Sequence, residues 1–147
     1  MEKAQVTGLL IGGGLPAICF GLSSVLSKAA VNAKIGMGPY LLCISLAIAT
    51  VAGACTWYFD DRTFTGRAAA YTYLVGFTWA LGSAALAFAL VKFQTPIAKL
   101  VPLYNCNTLI AVLLGLWWFA EWQQVDTGKL ILGSALIVLG GALVANA

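Results

Sequence analysis

The polar residues best suited to bind a solute lie close together in the second half of the chain. They are Lys99, Tyr104, Asn105 and Asn107. On a continuous helix turning ~100° per residue, Lys99, Asn107 and Tyr104 fall near ~0°, ~80° and ~140°, whereas Asn105 points near ~240°. Three of the four therefore share a face. On that face Tyr104 and Asn107 could hydrogen-bond a solute, and Lys99 could attract a carboxylate or a phosphate.

Structural roles for the same residues remain open. Lys99 could be a boundary residue whose ammonium group reaches the lipid headgroups. Asn105 could make a hydrogen bond between helices worth ~0.6 kcal/mol, and Glu121 could be either an interfacial carboxylate or a proton-coupling group. Pro102 lacks a backbone N–H, so it could expose the carbonyl group of Ala98 to a polar cavity lined by Lys99, Tyr104 and Asn107.

Two candidates lie on other helices. Trp79, in the third helix, could stack on a flat or sugar-like solute or could be a large core aromatic. Ser23, together with Ser24, supplies the main polar groups of the first helix. The sequence therefore predicts a substrate site that includes Trp79, Lys99, Tyr104, Asn107 and Ser23.

Covalent chemistry is not expected. The chain has no His, which removes imidazole metal ligands and His-activated nucleophiles. Its four cysteines lie in three of the apolar stretches, Cys43 and Cys55 in the same one, without paired spacing, which is typical of small side chains packed between helices. We therefore predict a protein that is not an enzyme and that holds neither a cofactor nor a metal.

The charge content excludes an ordinary soluble domain. Charged residues make up 9% of the chain, whereas a soluble domain carries ~25%. Eight Lys and Arg against five Asp and Glu give a net charge of +3. These charges are too few and too scattered for a nucleic-acid surface, so no nucleic-acid partner is expected.

The charges divide the chain into charge-free runs of 24, 25, 24, 21 and 18 residues. Because ~20 apolar residues in a helix cross the hydrocarbon core of a bilayer, the first four runs are long enough for one crossing each and the last is just long enough. The sequence predicts an all-α integral membrane protein in which residues 1–147 form a single transmembrane domain. Its five transmembrane helices are expected over about residues 5–28, 36–59, 68–91, 97–120 and 130–147.

The basic residues show no preference for one side of the membrane. With five helices, four lie on the side of the N-terminus and four on the opposite side: Lys3, Arg62, Arg67 and Lys129, against Lys28, Lys34, Lys92 and Lys99. Since an excess of Lys and Arg normally sets orientation, this balance favours a mixed population of upward and downward copies, with uniform insertion as the alternative. Two opposed copies of a five-helix chain are inverted repeats of each other.

The second half of the chain carries a more specific pattern. It runs from Gln94-Thr95-Pro96 through Pro102-Leu103-Tyr104-Asn105 to Gly115 and Glu121, then to Gly133 and Gly140-Gly141. This resembles the C-terminal signature of an EamA-type repeat of the drug/metabolite transporter superfamily. The similarity is most specific over Thr95 to Ala147, and over the first 90 residues it is only a hydropathy pattern.

In that superfamily the common form has ten helices in two inverted five-helix repeats. The resemblance implies that this chain is one repeat, half of a ten-helix inverted-repeat transporter bundle that a homodimer completes. The related small multidrug resistance proteins carry a glutamate within their first helix. Here no acid lies in that helix after Glu2, so cation antiport by their mechanism is not expected.

We therefore predict a small secondary transporter or permease for metabolites, acting as an antiparallel, dual-topology homodimer by alternating access. The alternatives are a non-transporting membrane scaffold or accessory subunit, and a flippase for a lipid-linked head group. The expected partners are a second copy of the chain, a small-molecule solute and the lipid bilayer. The expected location is the inner cell membrane, as a multi-pass protein.

Overall fold

The computed structural model describes residues 3–60, 62–123 and 125–146. These residues are helical apart from short connections, and none of them lies in a strand. Five helical stretches are long and apolar enough to cross a membrane: Val6–Asn32, Met37–Tyr58, Gly66–Lys92, Ile97–Trp118 and Thr127–Ala145. All five lie where charge-free runs predict them, and Ala147, the expected end of the last one, lies outside the described residues.

The first span contains a widened turn. Helix α1 (Lys3–Leu9) continues through a π-helical turn (Leu10–Gly14) into α2 (Leu15–Asn32). Pro16 stands in the first turn of α2 and has no amide hydrogen for the carbonyl group four residues earlier. The Leu15 N–H instead reaches back five residues to the Leu10 carbonyl oxygen, which is the bonding pattern of a π turn.

The second and third spans are uninterrupted helices, α3 (Met37–Tyr58) and α4 (Gly66–Lys92). Helix α4 begins where the Thr65 hydroxyl accepts a hydrogen bond from the Ala68 N–H at 3.3 Å, which satisfies one of the free amides of its first turn. Helix α3 ends in exposed aromatic side chains, of which Trp57 is 88% exposed. Such rings are typical of the boundary between lipid tails and headgroups.

The fourth span is interrupted, unlike the continuous helix that the sequence predicts. It consists of α5 (Ile97–Tyr104) and α6 (Asn107–Trp118), separated by a two-residue turn. A short 3₁₀ turn (Glu121–Gln123) follows, and the chain enters its last helix, α7 (Thr127–Ala145).

Helix α7 begins earlier than residue 130, where the charge pattern places it. Asp126 caps the helix by accepting a hydrogen bond from the Lys129 N–H at 3.2 Å, and its carboxylate lies 2.8 Å from the Lys129 ammonium group. The hydrogen bonds from the Lys129 side chain and backbone hold the pKa of Asp126 below its ordinary value. A charged pair at the helix start therefore lengthens the helix without lying in the apolar run.

The chain forms two compact units, one up to Gln94 and one from Thr95 onward. In the first unit α2 and α3 pack against α4, and in the second α5 and α6 pack against α7. Few described side chains are buried, and Leu90, 1% exposed, is the most deeply buried of the large apolar ones. Large apolar side chains lie mainly on the outside, which is the arrangement that a lipid environment stabilises.

Three helices are followed, just past their last residue, by a residue in the left-handed backbone region. Lys34 (φ 63°), Gln94 (φ 52°) and Ala120 (φ 52°) each stand two residues beyond the last residue of α2, α4 or α6. This position usually belongs to Gly, because a β-carbon makes the left-handed conformation unfavourable by ~1–2 kcal/mol. Each of these helix ends is therefore strained.

Candidate functional site

The interruption of the fourth span is the main irregularity of the second unit. The Asn105 N–H still donates to the carbonyl oxygen four residues earlier, that of Val101, but beyond it the backbone bonds to the third residue back. The Cys106 N–H donates to the Leu103 carbonyl oxygen at 3.2 Å, and the Thr108 N–H donates to the Asn105 carbonyl oxygen at 3.0 Å. Irregular backbone at this depth of a membrane is tolerated where protein or a polar cavity surrounds it.

Pro102 lies inside α5, one turn before the interruption. Its missing N–H leaves the carbonyl group of Ala98 without the usual donor, as the sequence indicates. The interruption itself comes after Tyr104, near the middle of the span, where Asn105 and Cys106 form the turn. The proline therefore weakens the helix one turn before the point at which it ends.

Three of the predicted substrate residues belong to this broken span. Lys99 lies half-buried on α5, Tyr104 is the last residue of α5 and is 40% exposed, and Asn107 is the exposed first residue of α6. The helical wheel that put them on one face assumes a continuous helix. The wheel still gives the angle between Lys99 and Tyr104, which both lie on α5. It no longer gives the direction of Asn107, which lies on α6 beyond the turn.

The turn of the broken span is held against α7 by a close backbone approach. A β-carbon on Gly141 would lie 2.7 Å from the carbonyl oxygen of Pro102 and 3.2 Å from Sγ of Cys106. The Cys106 thiol lies 4.0 Å from the carbonyl oxygens of Pro102 and Val138. Only glycine allows this contact, which places the interruption firmly on the last helix.

The other two predicted substrate residues belong to the first unit. Ser23 lies on α2, and its hydroxyl donates to the Phe20 carbonyl oxygen at 3.0 Å. Trp79 lies on α4, 47% exposed, and lines a groove between α3 and α4 that does not include Ser23. The structure therefore does not bring Ser23 and Trp79 together in that groove.

The groove has a volume of about 490 Å³ and is lined by the first half of α3 and by part of α4. One wall is a stripe of α3 that includes Ser45, and the other is formed by α4. The α4 residues that line the groove include Tyr73, Gly76, Phe77, Trp79 and Ala80. Apart from Trp79, the sequence did not single these residues out. On α3, the spacing of Leu41, Ile44, Ser45 and Ile48 places them on one helix face, and this spacing is the sequence feature that could have indicated that wall of the groove.

A hydrogen-bonded chain joins the first two spans. The Tyr40 hydroxyl, in a side chain that is 6% exposed, donates to Oγ of Ser27 at 2.8 Å. Ser27 in turn donates to the Ser23 carbonyl oxygen at 2.8 Å. Because this chain ends on a backbone carbonyl group, it fastens α2 to α3 and offers no onward path for a proton.

Metal ligands are not grouped in the described part of the chain. No set of three or more His, Cys, Asp and Glu residues within it could hold a metal ion. Its four cysteines are free thiols: Cys19, Cys43, Cys55 and Cys106.

The apolar spans and their lipid-compatible outer surface define a multi-pass membrane protein. Comparisons with protein-family models, known proteins and solved structures find no match for this chain.

Proposed function

We propose that the protein is a small secondary transporter or permease for metabolites, working by alternating access as an antiparallel homodimer in the inner membrane of the cell. The observation that carries this proposal is the interruption of the fourth span between Tyr104 and Asn107. Many transporters bind their substrates where a membrane helix is broken near the bilayer midplane. A purely structural helix would gain nothing from breaking its hydrogen bonds in lipid.

The polar groups around the interruption suit an uncharged or anionic solute. Tyr104 and Asn107 flank the turn and supply a hydroxyl and an amide, and Lys99 supplies a positive charge one helical turn or more away. In this proposal Tyr104 and Asn107 bind the solute, and Lys99 attracts an acidic group on it. No covalent step is involved.

The odd number of spans and the balanced basic residues support the dimer. A second copy inserted upside down turns five spans into a ten-helix inverted repeat, the arrangement implied by the resemblance to EamA-type repeats. The two copies then exchange inward-open and outward-open states around one shared path. The chain would be half of the working unit.

Uptake by reconstituted protein tests the proposal. Purified full-length chain is placed in liposomes and offered a panel of labelled amino acids, sugars and organic anions. We expect saturable uptake of at least one class, which Asn107→Ala lowers about tenfold, the upper end of the effect of one hydrogen bond. The matched control is Asn32→Ala, an exposed amide at the end of α2 that should leave uptake unchanged.

Two further variants separate the roles of the polar groups. Lys99→Gln should abolish uptake of an anionic solute while Lys99→Arg retains it, because only the charge is needed. Folded yield is measured for every variant by gel filtration in detergent.

The competing functions give different results. A scaffold or accessory subunit transports no solute from the panel, and a flippase moves only a lipid-linked head group between leaflets. Reporters fused to both termini test the dimer, since dual insertion gives equal signals from both sides of the membrane. A single clean orientation would refute the antiparallel arrangement, and absence of uptake would refute the transporter.

A further inference from the structure

We propose that one end of the first compact unit binds the headgroup of an anionic phospholipid. At this end α2 and α4 finish and α3 begins. The end carries three lysines, which together form the lysine patch: Lys28, Lys34 and Lys92. Lys99 belongs to the second unit and is not part of the patch.

The three helices converge at this end of the unit. The described side chains that are buried in the unit all lie in the half of each helix nearest this end: Ser24, Tyr40, Ala87 and Leu90. The Tyr40 hydroxyl also donates to Oγ of Ser27 at 2.8 Å, which joins the start of α3 to the later turns of α2. Because packed helices lie ~8–10 Å apart, the lysines at these helix ends belong to one surface.

The acids of the unit lie at its opposite end. Asp60, the one acid among the described residues of the unit, follows α3, whose 22 residues span ~33 Å from the end that begins beside Lys34. In the sequence, Glu2 precedes α1 and Asp61 follows Asp60. The patch therefore has no counter-charge of its own within the unit.

The positive charge of the patch is concentrated. Lys28 is half-buried, and Lys34 and Lys92 are exposed. The one ion pair between described residues lies in the second unit, between Asp126 and Lys129. The start of α3 adds to the positive potential, since no side chain caps it. Like charges repel one another, so an anion that lies between the lysines stabilises this end of the unit.

A phospholipid headgroup is the anion that occurs at this level of a membrane. The two spans that end at the patch, Val6–Asn32 and Gly66–Lys92, have 27 residues each, whereas ~20 apolar residues cross the hydrocarbon core. The last residues of both spans therefore extend into the headgroup region. An anionic phospholipid brings a net negative charge there, whereas the cationic group of a zwitterionic lipid offsets its own phosphate.

A second copy of the chain is a weaker source of counter-charge. In an antiparallel dimer its opposite end would share the membrane face with the patch. By sequence that end carries four basic and five acidic residues, which leaves one net negative charge. Asp126 and Lys129 of that end already pair with each other at 2.8 Å. One net charge cannot balance three lysines, so the lipid is favoured.

Lipid binding at the patch does not depend on transport. A scaffold with the same patch would bind the lipid equally well, and a transporter without bound lipid could still move a solute along the broken fourth span. Failure of one proposal therefore leaves the other unaffected.

Binding of a fluorescent phosphatidylglycerol to the full-length chain in dodecylmaltoside micelles tests the inference, followed by fluorescence anisotropy. We expect saturable binding at least tenfold tighter than that of phosphatidylcholine with the same label, and weaker binding as salt screens the lysines. A lysine at a membrane surface increases the affinity for anionic lipid about fivefold. Lys28→Gln, Lys34→Gln and Lys92→Gln should therefore each weaken binding about fivefold, and the three together about a hundredfold.

The matched control removes the same number of charges from the other end of the unit. Lys3→Gln, Arg62→Gln and Arg67→Gln, made together, should leave lipid binding unchanged. Replacement of all three patch lysines by arginine should retain binding, because the charge is what attracts the headgroup. Helical content and gel-filtration profile are recorded for every variant.

The contrary outcomes each overturn the inference. Equal weakening in the control variant would mean that net charge alone attracts the lipid, and equal affinity for phosphatidylcholine would contradict the need for an anion. Displacement of the lipid by inorganic phosphate, but not by chloride at the same ionic strength, would make the patch a site for soluble phosphate. Full lipid binding by the triple glutamine variant, with loss of a dimer on gel filtration, would assign the counter-charge to a second copy.

Discussion

Replacement of Gly141 by alanine should separate the last helix from the broken span, whereas the same change at the adjacent Gly140 should not. A β-carbon at Gly141 would lie 2.7 Å from the Pro102 carbonyl oxygen, and at Gly140 it would meet nothing within 4 Å. The oxygen belongs to the backbone and cannot rotate away. Either α5 or α7 must therefore shift.

The expected magnitude follows from comparing the two variants. Both replace a helical glycine by alanine and gain the same intrinsic helix propensity of ~1 kcal/mol, so this contribution cancels in the difference. What remains is the overpacking at Gly141, which typically lowers the free energy of unfolding by ~1–3 kcal/mol. We expect Gly141→Ala to be less stable than Gly140→Ala by that amount.

Reversible unfolding in mixed micelles with increasing dodecyl sulfate measures the difference, followed by circular dichroism and tryptophan fluorescence. A second measurement uses a thiol reagent on protein in which the three exposed cysteines are alanine. Since Sγ of Cys106 would lie 3.2 Å from the new β-carbon, Gly141→Ala should also speed its labelling. Equal unfolding midpoints and equal labelling rates for the two variants would refute the close approach.

Three further predictions concern helix ends and the polar link. Ala120→Gly should raise the free energy of unfolding by ~1 kcal/mol, because glycine adopts the left-handed φ of 52° without strain; chemical unfolding measures this. Tyr40→Phe should lower it by ~0.6–1.5 kcal/mol, because the hydrogen bond to Ser27 is lost. The hydrogen bonds from Lys129 lower the pKa of Asp126, so its contribution to stability is complete above the ordinary Asp pKa. That contribution should disappear as the pH falls through the lowered value, and a pH series of unfolding curves should show the loss.

Matched variants control these three predictions. Ala33→Gly, at an ordinary φ of −76°, should destabilise where Ala120→Gly stabilises. Tyr58→Phe removes a hydroxyl from a side chain that is 77% exposed and should have no effect. Asp126→Asn should flatten the acid limb of the pH series. An unchanged limb in that variant, or equal effects of the paired variants, would contradict the assigned cause.

The number and position of the membrane-crossing helices could be predicted from the charges alone. A charged side chain inside lipid is unfavourable whatever its neighbours, so the charge-free runs had to become spans. The residues at which the helices begin could be predicted less well. Helix α7 begins at Thr127 because Asp126 and Lys129 form a local cap, an interaction that an apolar run does not reveal.

The candidate site was predictable only in part. Pro102 pointed to a weakness in the fourth span, but the turn at Asn105 and Cys106 depends on which backbone groups bond to which. The groove residues Ser45 and Gly76 were not predicted, because a helical wheel describes one helix and cannot show which faces of two helices lie opposite each other.

The amino-acid sequence by itself determined that this chain is helical and crosses a membrane, since burying charge in hydrocarbon is unfavourable in any arrangement of helices. Tertiary structure alone decided which small residues are needed for close packing between helices. Gly140 and Gly141 are chemically identical neighbours, yet only Gly141 lies against a carbonyl oxygen. The difference comes from the position of α5 relative to α7, which depends on contacts between residues far apart along the chain.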